Sequence, residues 1–130
     1  MLTVVAALIE SDGRILACQR RRAGSFGLMW EFPGGKVKPG ETLEQALRRE
    51  LEEELGTDAT IGHELFRTQH RYAELADPIE LIFFEAKLDA SSIRNLAFET
   101  MEWRARETLA ELNFLPADRE FLAKLAASKS

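Results

Sequence analysis

Residues 35–56, running Gly-Lys-Val-Lys-Pro-Gly-Glu-Thr-Leu-Glu-Gln-Ala-Leu-Arg-Arg-Glu-Leu-Glu-Glu-Glu-Leu-Gly, constrain this chain more than any other stretch. Leu43, Leu47, Leu51 and Leu55 recur every four residues with Ala46 beside them, a spacing that makes one apolar stripe on an α-helix and requires that stripe to face a core. Thr42 followed three residues later by Gln45 has the form of a capping box, and Gly56 stands where a left-handed C-terminal cap is expected. Within the helix, Glu50, Glu53 and Glu54 fall at i, i+3 and i+4. Those positions are neighbours on one face, about 5–6 Å apart at Cβ, and here they lie at the edge of the leucine stripe. Three like charges so placed repel, whereas a purely structural face would interleave them with Lys or Arg. Oxygen donors with no nearby Cys or clustered His suit a hard divalent cation, Mg²⁺ or Mn²⁺, rather than zinc. The alternative is an ordinary solvated acidic face.

The rest of the composition narrows the function classes. A chain of 130 residues can bury a core of its own, and a net charge of −5 lacks the basic surface that a nucleic-acid backbone requires. A small phosphate-bearing ligand stays possible, because bound cations reverse the local sign. The lone Cys18, inside Ile15-Leu16-Ala17-Cys18, has no partner for an internal disulfide and reads as a small buried hydrophobe. With no basic leader segment and no apolar run near the ~20 residues that span a bilayer, the expected setting is cytoplasmic, with no membrane partner.

Residues 2–10 and 14–20 are apolar runs around Ser11-Asp12-Gly13, which predicts a β-hairpin. A loop follows over 21–28, then a short extended piece, Trp30-Glu31-Phe32-Pro33, entering the glycines. Strands are expected over 57–71, 78–88 and 100–104, and short helical segments over 105–112 and 117–127. No repeat or linker divides the chain, so residues 1–130 read as one α/β domain, a mixed sheet covered by helices.

Gly35, five residues, Glu41, seven residues, then Arg49-Glu50-Leu51-x-Glu53-Glu54-x-Gly56 resembles the signature of the Nudix hydrolases. Thr57 departs from the aliphatic residue usual there, but it is also β-branched. Trp30-Glu31-Phe32-Pro33-Gly34-Gly35 and Leu115-Pro116-Ala117-Asp118 resemble the MutT-like branch of that superfamily. The resemblance implies the α/β/α Nudix fold and metal-dependent hydrolysis of a nucleoside triphosphate, intact or damaged, to monophosphate and pyrophosphate. By the same resemblance Glu50, Glu53 and Glu54, with the Gly34 carbonyl, would hold Mg²⁺ (or Mn²⁺), and Glu50 or Glu53 would serve as base for the attacking water. Arg49 and Glu41 would brace the glycine loop against the helix.

Glu99 is a candidate further metal ligand, although an ungapped alignment from Trp103 points to Ala97 instead. Arg20 or Arg21 would contact phosphate. Asp118 would read the base edge, or simply cap the following helix. Phe26, Phe32 and Phe83 are candidates to stack on a base or to fill the core, and His70 is a candidate substrate contact. The expected partner is a small nucleotide, with no stable nucleic-acid partner, the protein being a monomer or homodimer. Competing readings are a hydrolase of nucleotide sugars or dinucleoside polyphosphates, a non-catalytic nucleotide sensor, and a damage-recognition domain of a DNA glycosylase. The intact acids argue against the last two.

Overall fold

The first strand, β1 (Leu2–Ser11), is buried without a break over Val5-Ala6-Ala7-Leu8-Ile9. A strand apolar on both sides must be covered on both faces, and that requirement organises the molecule. The computed structural model describes residues 1–73 and 77–128. After β1 come β2 (Arg14–Gln19), β3 (Trp30–Glu31), β4 (Gly34–Lys36), the helix α1 (Leu43–Leu55), β5 (Thr60–His70), β6 (Ile79–Lys87), β7 (Thr100–Ala105) and the helix α2 (Arg119–Ala127). The strand path is β3-β2-β1-β6-β5, with β4 added to β1 and β7 added to β2. β1 runs parallel to β6, from Leu2 opposite Ile79 to Ile9 opposite Ala86, and antiparallel to β4. The sheet is therefore mixed, with α1 and α2 on opposite faces, the expected α/β/α arrangement.

Alternation along β1 splits the core in two. Val5, Ala7 and Ile9 face Ala46, Leu47, Leu51 and Leu55 of α1, while Ala6 and Leu8 face Phe114, Phe121, Leu122 and Leu125 on the other side. Burying a leucine of this kind is worth about 1.5–3 kcal/mol, so Leu47, Leu51 and Leu55 together anchor α1 firmly. The helix also carries its own punctuation. Thr42 Oγ1 accepts from the Gln45 N–H at 3.1 Å, and Gln45 Oε1 accepts from the Thr42 N–H at 2.9 Å. Gly56 closes the helix in the left-handed region at φ 67°. Two main-chain carbonyls at that end are taken by the loop before β7: Arg94 N–H donates to Leu55 O at 2.8 Å and Leu96 N–H to Glu54 O at 3.0 Å. That loop is thereby pinned beside the acids.

Three local expectations need adjusting. The strand expected from residue 57 starts at Thr60, because the Gly56 turn must be completed first. The glycines at 34 and 35 lie in a strand, not a loop, since β4 pairs with β1. The segment expected to be helical over 105–112 is a 3₁₀ turn over Arg106–Glu111.

Candidate active site

Strand β4 and helix α1 meet edge to face, and glycine makes the approach possible. A Cβ at Gly34 would collide with the Val5 carbonyl, and one at Gly35 would collide with the Glu50 carboxylate. With both side chains absent, the Gly34 N–H donates to Glu54 Oε1 at 3.0 Å. The acids of α1 then divide between two partners. Glu50 Oε1 and Glu53 Oε2 each lie 3.3 Å from Arg49 Nη1, while Glu54 turns inward to the Gly34 amide. Arg49 also grips Glu41 with both arms, at 2.7 and 3.0 Å, and donates to the Lys36 carbonyl at 3.0 Å. Glu41 accepts in turn from the Lys38 N–H at 2.9 Å. A planar guanidinium held bidentately fixes loop and helix at a defined angle. The hydrogen bonds from Arg49 and Lys38 hold the Glu41 carboxyl down at about 2.

Glu54 has the opposite electrostatic character. Burial, then the charges of Glu31 and Glu50, raise its pKa to about 9, with the Gly34 hydrogen bond opposing the shift. Burial likewise raises Glu50, against the favourable charge of Arg49. Like charges desolvated together in this way are stabilised by a cation. Among the described residues, no three His, Cys, Asp or Glu side chains are already gathered as a ready-made metal cage. The donor set fits a divalent ion by its chemistry: carboxylate oxygens along one helix edge, one of them buried among like charges.

Two cavities open beside Glu54, and their walls share Arg20, Ser25 and Glu31 as well. The first, about 340 Å³, extends from Glu54, Gly34 and Gly35 past Phe32, Phe26 and Tyr72 to Asp118. The second, about 270 Å³, adds Arg21, Ala97 and Phe98. Arg20 crosses the shared wall: its Nη1 donates to Glu31 at 3.0 Å and its Nε donates to the Ser25 carbonyl at 3.0 Å.

Asp118 reaches the first cavity because the chain before it zips onto β3. Trp30 N–H donates to the Asn113 carbonyl and Leu115 N–H to the Trp30 carbonyl, each at 2.9 Å. The side chain does not cap α2. Pro116–Asp118 is already a helical turn, and Asp118 sits at φ −88°, ψ −14°, whereas a capping side chain needs an extended backbone. Its carboxyl is buried, takes a backbone hydrogen bond from Phe32, and is raised well above its ordinary value by desolvation first and by the Glu31 charge second. Among the described residues, Asp118 Oδ2 has no hydrogen-bond partner. A buried orphan oxygen costs about 1–3 kcal/mol, which makes it a feature to be explained by a ligand.

The remaining expected residues divide between site and scaffold. Phe83 is fully buried and stacks on Phe121 at 4.2 Å between ring centroids, so it belongs to the core. Phe32 is buried beside it and also lines the first cavity. Phe26 lines the same cavity, against Tyr72 at 4.9 Å. His70 also packs on Tyr72, at 4.5 Å between ring centroids. Glu99 is exposed, tied by its N–H to the Gln19 carbonyl, and it is Ala97 that lines the second cavity together with Glu54. Glu31 and Tyr72 were given no role by sequence reasoning. The signal for Glu31 was present: a glutamate between Trp30 and Phe32 in an otherwise buried segment needs a partner, and Arg20 supplies it.

Comparison with known proteins follows the same lines as the geometry. The model of the NUDIX domain family matches residues 1–125. The chain is 35% identical over 130 residues to a CTP pyrophosphohydrolase of Escherichia coli (strain K12), an alignment covering 100% of this chain and 95% of the relative. It is 34% identical over 128 residues to a nucleoside triphosphatase NudI of Enterobacter sp. (strain 638), covering 90% and 91% of the two chains. Among solved structures, a MutT NUDIX hydrolase from Burkholderia pseudomallei superimposes with a TM-score of 0.81 at 30% identity, covering 94% of this chain and 95% of that one.

Proposed function

The chain belongs to the Nudix family, and from that premise we propose that residues 1–130 form a single hydrolase domain that cleaves a nucleoside triphosphate to the monophosphate and pyrophosphate. The observation that carries this reading is one cavity whose wall holds both Asp118, a buried acid with an oxygen unpartnered among the described residues, and Glu54 of α1. That span suits a molecule with a base to be read and a phosphate chain to be cut. The volume is in the range that encloses small ligands. The relatives named for CTP and for nucleoside triphosphates support the same substrate class.

Nudix enzymes generally use divalent metal, and the all-oxygen donor set favours Mg²⁺, with Mn²⁺ as a substitute. Glu50, Glu53 and Glu54, with the main chain of Gly34, are the residues to hold it, and when bound it would supply neutralisation of phosphate charge and an acidic water. The protein's own part is positioning. Arg49 and Glu41 set the angle between loop and helix, and Glu50 or Glu53 accepts the proton of the attacking water. Arg20 and Arg21, which line the second cavity, would meet phosphate oxygens. A nucleotide substrate also supports a cytoplasmic setting.

The reaction is tested by incubating the protein with a panel of nucleoside triphosphates and Mg²⁺ in ¹⁸O-water and identifying products by mass. Nucleoside monophosphate with pyrophosphate is expected. Nucleoside diphosphate with labelled orthophosphate would overturn the proposal.

Asp118 is proposed to read the base. Its orphan Oδ2 accepts from an exocyclic amine or, in the protonated form that burial favours, donates to a ring nitrogen or carbonyl. A base that leaves this atom unpaired loses about 1–3 kcal/mol. Asp118→Asn is therefore expected to change the kcat/KM ratio between the best and worst bases by roughly 5–100-fold, with metal dependence unchanged. An unaltered ranking of bases would refute the assignment.

A further inference from the structure

Tyr72 lies just beyond β5 and lines the first cavity together with Asp118 and Phe26. Its hydroxyl oxygen accepts the backbone N–H of Ala117 at 3.2 Å. That N–H belongs to the first turn of a helical segment, where no carbonyl of the same segment can accept it. Ala117 is buried, so solvent is a poor substitute. The turn Pro116–Asp118 is thus moored on two sides: by Leu115 to the Trp30 carbonyl and by Ala117 to the Tyr72 hydroxyl. The Tyr72 ring itself packs on Phe26 and on His70.

We propose that Tyr72 is a positioning residue for base recognition, tying the Pro116–Asp118 turn to the end of β5 and so holding Asp118 at the angle at which it reads the base. The proposal rests on the base-reading role of Asp118 given above. Tyr72 acts on discrimination, because a hydrogen-bonding acid rejects the wrong base only while its geometry is held tightly. Its hydroxyl touches the Ala117 main chain, one residue from the reader, and so governs where the base sits.

The test compares kcat and KM for CTP, UTP, ATP and GTP in the parent, Tyr72→Phe, Asp118→Asn and the double variant. Tyr72→Phe keeps the ring and removes only the hydroxyl. It is expected to compress the best-to-worst ratio of kcat/KM by roughly 5–10-fold, with the change carried in KM. In the Asp118→Asn background the same substitution should cause no further change, since two residues acting through one contact are not additive.

Amide exchange provides a second readout that needs no variant: the Ala117 N–H should be protected in the parent protein, and rapid exchange there would overturn the proposal. Unchanged base ratios in Tyr72→Phe, alongside altered ratios in Asp118→Asn, would overturn it while leaving the reading of Asp118 intact. Additive effects would also overturn it, by showing that Tyr72 meets the base on its own account. If Asp118→Asn leaves the ranking untouched, the underlying reading falls and this proposal falls with it.

Discussion

Glu54→Gln is expected to lower kcat by roughly 10–100-fold or more, because it removes a carboxylate proposed to hold the metal, and yet to raise the melting temperature of the metal-free protein at pH 8. The two effects share one cause. Glu54 is buried beside Glu31 and Glu50, which lifts its pKa to about 9. A glutamine keeps the size and can still accept the Gly34 N–H, but it carries no charge to be desolvated. Glu53→Gln is expected to lose activity to a similar extent without the gain in stability. Its side chain is 54% exposed and its ion pair with Arg49 is of the i, i+4 kind, worth about 0.3–0.5 kcal/mol at a surface. Calorimetry and steady-state kinetics on the two variants separate the roles. Equal melting temperatures for parent and Glu54→Gln at pH 8 in chelator would show that Glu54 is not the strained group.

The second large effect is a stability that depends on pH and on divalent cation together. In the unfolded chain Glu54 titrates near 4.5, and in the folded protein near 9. Between those values the folded state binds the extra proton. Stability therefore falls as pH rises through this window, by at most about 1.4 kcal/mol per pH unit from this group, and levels off above the folded pKa. In chelator, the melting temperature should decline from pH 5.5 to pH 8.5. At the proposed site Mg²⁺ would compete with that proton for the same oxygens, so its stabilisation should grow with pH. At a concentration 100 times its Kd the gain is about 2.7 kcal/mol, a shift of several degrees for a chain of this size. Nucleotide hydrolysis should cease under the same chelation. Melting curves in Mg²⁺ and in chelator that coincide across the pH range would contradict the assignment of α1 as the cation site. Glu41 has the opposite sign: its lowered pKa makes the Arg49 pair stabilising above pH 4.5, and that contribution is lost as pH falls toward about 2.

Much of this was legible before any coordinates. The capping box at Thr42 and Gln45, the Gly56 cap and the leucine stripe of α1 are relations between residues at most four apart, and helical geometry is regular enough to convert such spacings into a face and two ends. The placing of Glu50, Glu53 and Glu54 on one edge follows from the same regularity. The unbroken apolar run in β1 announces cover on both faces, because strand geometry is equally regular.

What spacing could not decide is how distant segments meet. In the sequence Asp118 was equally suited to cap α2 or to read a base; that its side chain lines the cavity instead of capping turns on the zipping of residues 113–115 along Trp30 from the far end of the chain. Ala97 rather than Glu99 lines the second cavity with Glu54 because the loop before β7 is pinned to the end of α1 by main-chain bonds that any sequence could make. Phe83 and Phe26 are the same residue type, and only the layering of sheet against α2 sends one into the core and the other to the cavity wall. Glu31 becomes a charge shared by two cavities, and Tyr72 a mooring for the turn, through partners far away in sequence: Glu54, Asp118 and Ala117. The helix, its caps and its row of acids were thus determined by the sequence itself, since i, i+3 and i+4 relations are local. The burial that raises Glu54, and the cavity that joins it to Asp118, were decided by tertiary packing alone, because desolvation and long-range charge depend on which surfaces close over one another.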